Sequence, residues 1–138
     1  MNIADIYEFI ARQKLGVLGS IAADSTPQSA LVGIAVRSEL AIIFDPVKSS
    51  RKFQNLIANP QCSFVIGWAG ETTVQYEGVA RQPEGGELAR YQQIYFATWT
   101  DGPSRLSWPG ITHFVVRPTW LRYSDFDHRP PLIQEFTF

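Results

Sequence analysis

Ile3, Ile6, Phe9 and Ile10 recur at three- and four-residue intervals along IADIYEFIARQK (residues 3–14), so the chain opens with an amphipathic helix. Gly16 supplies a C-terminal cap region for it. The polar spacing then shortens. LGVLGSIA (15–22) reads as a glycine-containing strand, and ADSTP (23–27) has the side chains and the proline of a turn. QSALVGIAV (28–36) returns as a second strand, and RSE (37–39) turns it into a third, LAIIF (40–44).

Asp45-Pro46 stops that strand. Ser49 or Ser50 then caps a helix with Phe53, Leu56 and Ile57 on its buried face, which ends at Asn59-Pro60. QCSFVIGWA (61–69) is a fourth strand. TTVQYEGVARQ (72–82) is a fifth, its Val74, Tyr76 and Val79 interspersed with polar residues as in a half-solvated strand. PEGGELARYQQIYFAT (83–98) forms a helix with Leu88, Tyr91, Ile94 and Tyr95 on one face. After the turn-rich TDGPSRLSWPG (100–110), ITHFVVRPTWLRYSDF (111–126) is a long strand that Pro118 assigns to an edge or a bulge. The tail, DHRPPLIQEFTF, carries Leu132, Ile133, Phe136 and Phe138 and is expected to dock. Consecutive strands joined by turns make a parallel doubly wound sheet unfavourable. The expectation is a mainly β single domain over residues 1–138, a six-stranded antiparallel closed or split barrel with helices over its gaps.

Composition narrows the class. With 138 residues, 45% apolar and 18% charged, the chain can bury a real core. A net charge of -1 gives no electrostatic case for nucleic acid. The longest apolar runs, such as LVGIAV (31–36), are far too short to cross a bilayer, and no signal-peptide pattern opens the chain. One cysteine, Cys62, forms no internal disulfide or cysteine-based zinc site, so a cytoplasmic setting is the default. His113 and His128 have no carboxylate or thiol escort, and no metal site is expected.

Nucleophilic catalysis finds no support: there is no G-x-S-x-G elbow, and Cys62 lies in an apolar strand. PEGGE (83–87) lacks the spacing of a phosphate loop. The cluster of Trp99, Trp108 and Trp120 with nearby tyrosines and phenylalanines fits core, subunit contact or the walls of a flat ligand. The sharper feature is Ser49-Ser50-Arg51-Lys52. A helix start already carries partial positive charge, so two cations there are mildly unfavourable unless an anion neutralises them. On residues alone, an anion site and a merely solvated, serine-capped helix both remain open.

Taken in order, LGVLGSIAADSTPQSALVGIAV, LAIIFDPVKSSRK, NLIANPQCSFVI, VQYEGVAR and FVVRPTWLRYSDF resemble the FMN-binding split-barrel family related to pyridoxamine 5'-phosphate oxidase, over roughly residues 5–126. The resemblance implies a homodimer with FMN between subunits. It places Ser50, Arg51 and Lys52 on the phosphate, and the backbone of Ala30, Leu31 and Val32, with Ile43, Phe44 and Asp45, along the isoalloxazine ring. Thr73 and Gln75 would offer polar side chains to the cofactor. Ala30 and Ala35 stand where the oxidases have basic residues, and the oxidase C-terminal substrate signature is absent. The expected function is thus an FMN-dependent oxidoreductase of unknown substrate, not a true pyridoxine 5'-phosphate oxidase. A deazaflavin-dependent reductase and a non-catalytic flavin- or haem-binding sensor or carrier are the alternatives. No catalytic acid or base is assigned.

Overall fold

The computed structural model describes residues 1–138. Helix α1 (Ile3–Gln13) precedes strands β1 (Leu15–Ile21), β2 (Pro27–Gly33), β3 (Ala35–Val36) and β4 (Ile42–Phe44). Helix α2 (Arg51–Ala58) leads to β5 (Gln61–Ile66) and β6 (Thr72–Arg81). Helix α3 (Gly85–Thr98) and a 3-10 turn (Gly102–Ser107) come before β7 (Phe114–Asp125) and β8 (Leu132–Thr137). All strand pairs are antiparallel, in the order β2-β1-β5-β6-β7-β4-β3, with β8 also on β7. This is the mainly β, curled half-barrel that the short connections led us to expect.

Two strands exceed the expected six. The run 28–36 is not one strand: β2 pairs with β1 at one end of the sheet, while β3 pairs with β4 at the other. Gly33 and Ile34 therefore carry the chain across the mouth of the barrel. The Ile34 amide donates to the Lys14 carbonyl (2.8 Å), and a Cβ on Gly33 would lie 2.8 Å from the Trp99 ring, so only glycine fits under that indole. The eighth strand is the tail, docked on β7 with Leu132 and Phe136 against the main core. Ile133 faces away and is exposed.

Pro118 occupies a bulge. Glu77 opposes Trp120 and Gly78 opposes Pro118, so Thr119 is the extra residue. The proline also falls between the segment of β7 that pairs with β4 (114–116) and the segment that pairs with β8 (120–125), so its missing N–H leaves no ladder bond broken. Helix α1 ends earlier than Gly16, at Lys14 in the left-handed region (φ 61°), and starts at an Asn2–Asp5 capping box.

Inside the barrel, Ile6 and Ile10 of α1 meet Leu18, Phe44, Phe64, Ile66, Val74, Tyr76 and Leu121. Each such side chain contributes about 1.5–3 kcal/mol by leaving water. Tyr76 is buried without penalty because its hydroxyl reaches the Leu40 and Val116 carbonyls (2.8 and 3.1 Å). Helix α3 seals a second, smaller cluster with Tyr91 and Tyr95 over Ala35, Ile43 and Val115.

Candidate functional site

β2 ends the sheet, so the backbone groups along its outer edge have no strand partner. Facing that edge is the segment that leaves β4, turns at Asp45-Pro46 and enters α2. Between them lies a groove of two joined depressions. One, about 260 Å³, is polar and lined by Ser20, Gln28, Ser29, Ala30, Arg51 and Lys52. The other, about 250 Å³, is lined by Leu31, Val32, Phe44, Asp45, Lys52 and Trp108 among others. Lys52 belongs to both and marks the join.

Ser50 is the N-cap of α2, but its hydroxyl is committed. It donates to the Val47 carbonyl (2.7 Å) and accepts from the Phe53 amide (3.3 Å). Arg51 and Lys52 form the first turn, and neither joins any of the chain's five ion pairs. Arg51 meets only the neutral side-chain amide of Gln28, whose oxygen accepts from Nε (3.3 Å) and from a terminal guanidinium nitrogen. With its amide so turned, Gln28 directs its nitrogen toward Asn55 (2.7 Å), whose side chain also donates to Ser20 Oγ (3.0 Å). Asn55 is accordingly buried on α2, whereas Ile57, expected on the buried face, is 56% exposed. Two cations without carboxylate partners, beside first-turn amides that have no intrahelical acceptor, suit an anion.

Asp45 projects from the end of β4 and accepts from Tyr95 Oη (2.8 Å) and Arg105 Nε (2.9 Å). Arg105 also reaches Asp101 (2.7 Å) and lies over the Trp108 ring, 6.0 Å from its centroid. Through this chain of contacts the 3-10 turn is tied to the groove, and it holds Trp108, 53% exposed, at the groove wall. Burial and the Asp45 carboxylate both push the Tyr95 phenol well above its usual range, so it stays a neutral donor.

The remaining expected residues are elsewhere. Ile43 is fully buried in the α3 cluster on the opposite side of its strand. Phe44 is 1% exposed and stacks on Phe114 (centroids 5.8 Å apart), so it meets the groove only at its rim. Gln75 and Thr73 lie on the outer face of β6. The cross-strand row Leu31–Val17–Val65–Gln75 spans three strand spacings, about 14 Å, from β2 to β6. They do not meet the groove of their own chain. Sequence reasoning passed over Ser20, Gln28 and Asn55; a glutamine two residues before Ala30, on the inward parity of β2, was the available signal.

Cys62 and His113 lie apart from the groove. Burial pushes the Cys62 thiol up to about 12, leaving no thiolate near neutral pH. His113 lies among Tyr95 and Phe96, with Nε2 unpartnered and its pKa lowered by burial. No group of three or more His, Cys, Asp or Glu side chains is placed to hold a metal ion. No helix is long and apolar enough to cross a membrane.

The fold matches known proteins. The chain aligns with the haem-binding protein from Mycobacterium smegmatis at a TM-score of 0.84 and 19% identity, over 99% of this chain but only 58% of that one. It aligns with HutZ, the haem storage protein from Vibrio cholerae, at 0.75 and 15% identity, covering 99% and 95% of the two chains. A pyridoxamine 5'-phosphate oxidase-related, FMN-binding protein from Nostoc punctiforme gives 0.68 at 8% identity, covering 99% and 92%. At such identities these likenesses establish the shared split-barrel fold. No curated protein sequence matches. The family model described as pyridoxamine 5'-phosphate oxidase matches residues 4–125, nearly the whole barrel, and the chain therefore belongs to the pyridoxamine 5'-phosphate oxidase family.

Proposed function

We propose that this protein binds FMN in the groove between β2 and α2 and works as a flavin-dependent oxidoreductase. The observation that carries this reading is the order of chemistry along the groove. Arg51 and Lys52 stand without carboxylate partners at one end, and a depression walled by Leu31, Val32 and Trp108 shares Lys52 with it. A phosphate at the cations leaves a flat ring against Leu31, Val32 and Trp108, with the free edge of β2 offering backbone groups to its polar rim. The flavin would supply hydride or electron transfer. This chain's residues bind the phosphate, orient the ring and hold Asp45 beside it, its side chain positioned by Tyr95 and Arg105.

The groove is open on one side, and the outer sheet face next to it exposes Leu31 (61%) and Val65 (42%). A homodimer packed on that face closes the groove and brings Thr73 and Gln75 of a second copy toward the cofactor. That is the arrangement in which the outlying β6 residues make sense.

Structural neighbours named for haem make haem the second reading. Iron needs an axial ligand, commonly His, Cys, Met or Tyr. The side chains lining the two depressions include none of these. The groove chemistry therefore favours a flavin, FMN before a deazaflavin because the phosphate clamp is compact.

Visible absorption of the purified or reconstituted protein tests the set. Two flavin bands are expected; a Soret band or a lone near-violet band would replace FMN by haem or deazaflavin. Arg51→Ala with Lys52→Ala should weaken FMN at least tenfold more than riboflavin, and equal weakening refutes the clamp. Reduction of the bound flavin by NADPH or NADH separates an enzyme from a carrier.

A further inference from the structure

A separate concavity lies where α3 meets the outer face of β6 and β7. Ala80 and Val116 turn into the main core, so Arg81, Val115 and Arg117 stand on the other face of their strands and line it. It encloses about 380 Å³, within the roughly 300–1,000 Å³ of small-molecule sites, and shares no lining residue with the flavin groove. Ala41 and Asp45 flank β4, so the two sites stand at opposite ends of that strand. Arg81 is also about 20 Å along β6 from Gln75, away from the part of the sheet assigned to a second copy.

The floor is apolar and firmly held. Ala41 and Val115 pack with Tyr91 in one buried cluster, and the Arg37 guanidinium lies over the Tyr91 ring, 5.6 Å from its centroid. Pro118 at the bulge and Phe138 add apolar walls, and the Phe138 amide donates to the Thr119 carbonyl (3.2 Å). Arg81 braces α3 against β6 through two bonds to Glu87 (2.6 and 2.9 Å).

The charges around this floor do not cancel. Glu87 matches Arg81, and Glu39 at the rim matches Arg37 (3.2 Å). Arg117 joins none of the five ion pairs. It is diagonal to Arg81 on the same face, since Arg81 opposes Val115 and Arg117 opposes Val79. Diagonal neighbours on a sheet are within reach of long side chains, so a second arginine there is unfavourable until an anion joins it.

We propose that this concavity binds a small apolar monocarboxylate, with its carboxylate on Arg117 and its hydrocarbon body against Tyr91, Val115 and Phe138. The guanidinium fork gives a carboxylate two parallel N–H bonds. A body the size of a phenyl group leaves water on the apolar floor. Glu39 limits the charge of the ligand: only Arg117 is unmatched, so a phosphate dianion would bring a charge without a partner toward that carboxylate.

Isothermal titration of the full chain with 3-phenylpropionate, 3-phenylpropanol and phenyl phosphate tests this, at about pH 7.5, where the phosphate is a dianion. Arg117→Gln removes the cation at an exposed position, and Arg51→Ala with Lys52→Ala removes the cations of the groove instead. The acid should bind with a Kd of about 1 mM or tighter, and about tenfold more tightly than the alcohol or the phosphate. Arg117→Gln should weaken the acid by about tenfold, to the level of the alcohol, while the groove variant leaves it within about twofold. No binding of the acid, an Arg117→Gln effect under about twofold, or a loss in the groove variant alone overturns the site. Phenyl phosphate binding as tightly as the acid overturns the monocarboxylate assignment.

Discussion

Replacing Asp45 by alanine should loosen the wall of the groove before it touches any ligand. The carboxylate accepts from Tyr95 Oη at 2.8 Å and from Arg105 Nε at 2.9 Å, and the Asp45 and Arg105 side chains are only 14% and 15% exposed. Hydrogen bonds to a charged group contribute about 1.5–3 kcal/mol each, and breaking a fully buried pair costs about 3–5 kcal/mol. The loss here is smaller because Arg105 keeps Asp101 (2.7 Å) and the Tyr95 hydroxyl can turn to the Gly33 carbonyl (3.3 Å). Asp45→Ala should therefore destabilise by about 2–3 kcal/mol, and Asp45→Asn, which still accepts one bond, by about 1 kcal/mol. For a chain of this length that is a fall in Tm of roughly 8–10 °C for the alanine variant. Urea unfolding of the single variants and of Asp45→Ala with Arg105→Ala closes a double-mutant cycle, with an expected coupling of at least about 1 kcal/mol. Trp108 emission should shift toward that of water-exposed indole as the 3-10 turn loosens. A loss under about 0.5 kcal/mol for Asp45→Ala, or strict additivity in the cycle, would show that the ion pair does not fix the turn.

Further outcomes follow from the same contacts. Ser50→Ala should cost about 1 kcal/mol of stability through the lost helix cap, with FMN affinity changed less than threefold because the hydroxyl is already engaged; a tenfold loss of affinity would assign Ser50 to the phosphate instead. His113 is neutral and buried in the native state with its pKa lowered, so below about pH 6.5 the unfolded chain takes up a proton that the native chain resists. Stability should then fall by up to ~1.4 kcal/mol per pH unit as pH drops through that region, and His113→Phe should remove this slope. Urea midpoints from pH 7.5 to 5.5 check it, and an unchanged slope assigns the effect elsewhere. Leu31→Asp should convert the proposed dimer to monomer in sedimentation velocity, since it charges the most exposed apolar position of the outer face; an unchanged sedimentation coefficient would move the interface off that face.

Much of the fold was open to inspection in the spacing of apolar residues. The alternation of β1, β5 and β6, the cap before α2 and the bulge at Pro118 are local matters, governed by parity, hydrogen-bond chemistry and one missing amide. The split of 28–36 into β2 and β3 was not open in the same way. Gly33 and Ile34 look like any strand interior until the chain is seen to cross from one end of the sheet to the other. Ile57 misled for a related reason: on a two-turn helix the buried side is set by where Ser20 and Gln28 stand, and they draw Asn55 inward in its place.

The site divides along the same line. Sequence alone determined that Arg51 and Lys52 begin a serine-capped helix, because capping and helix polarity act over four residues. Tertiary structure decided that the two cations face the free edge of β2, that Gln28 steadies one of them, and that Asp45 is tied to Tyr95 and Arg105, fifty and sixty residues away. It also decided that Thr73 and Gln75 lie three strands from the groove. Those facts depend on strand order, and strand order is settled by which faces bury together rather than by any neighbouring residue.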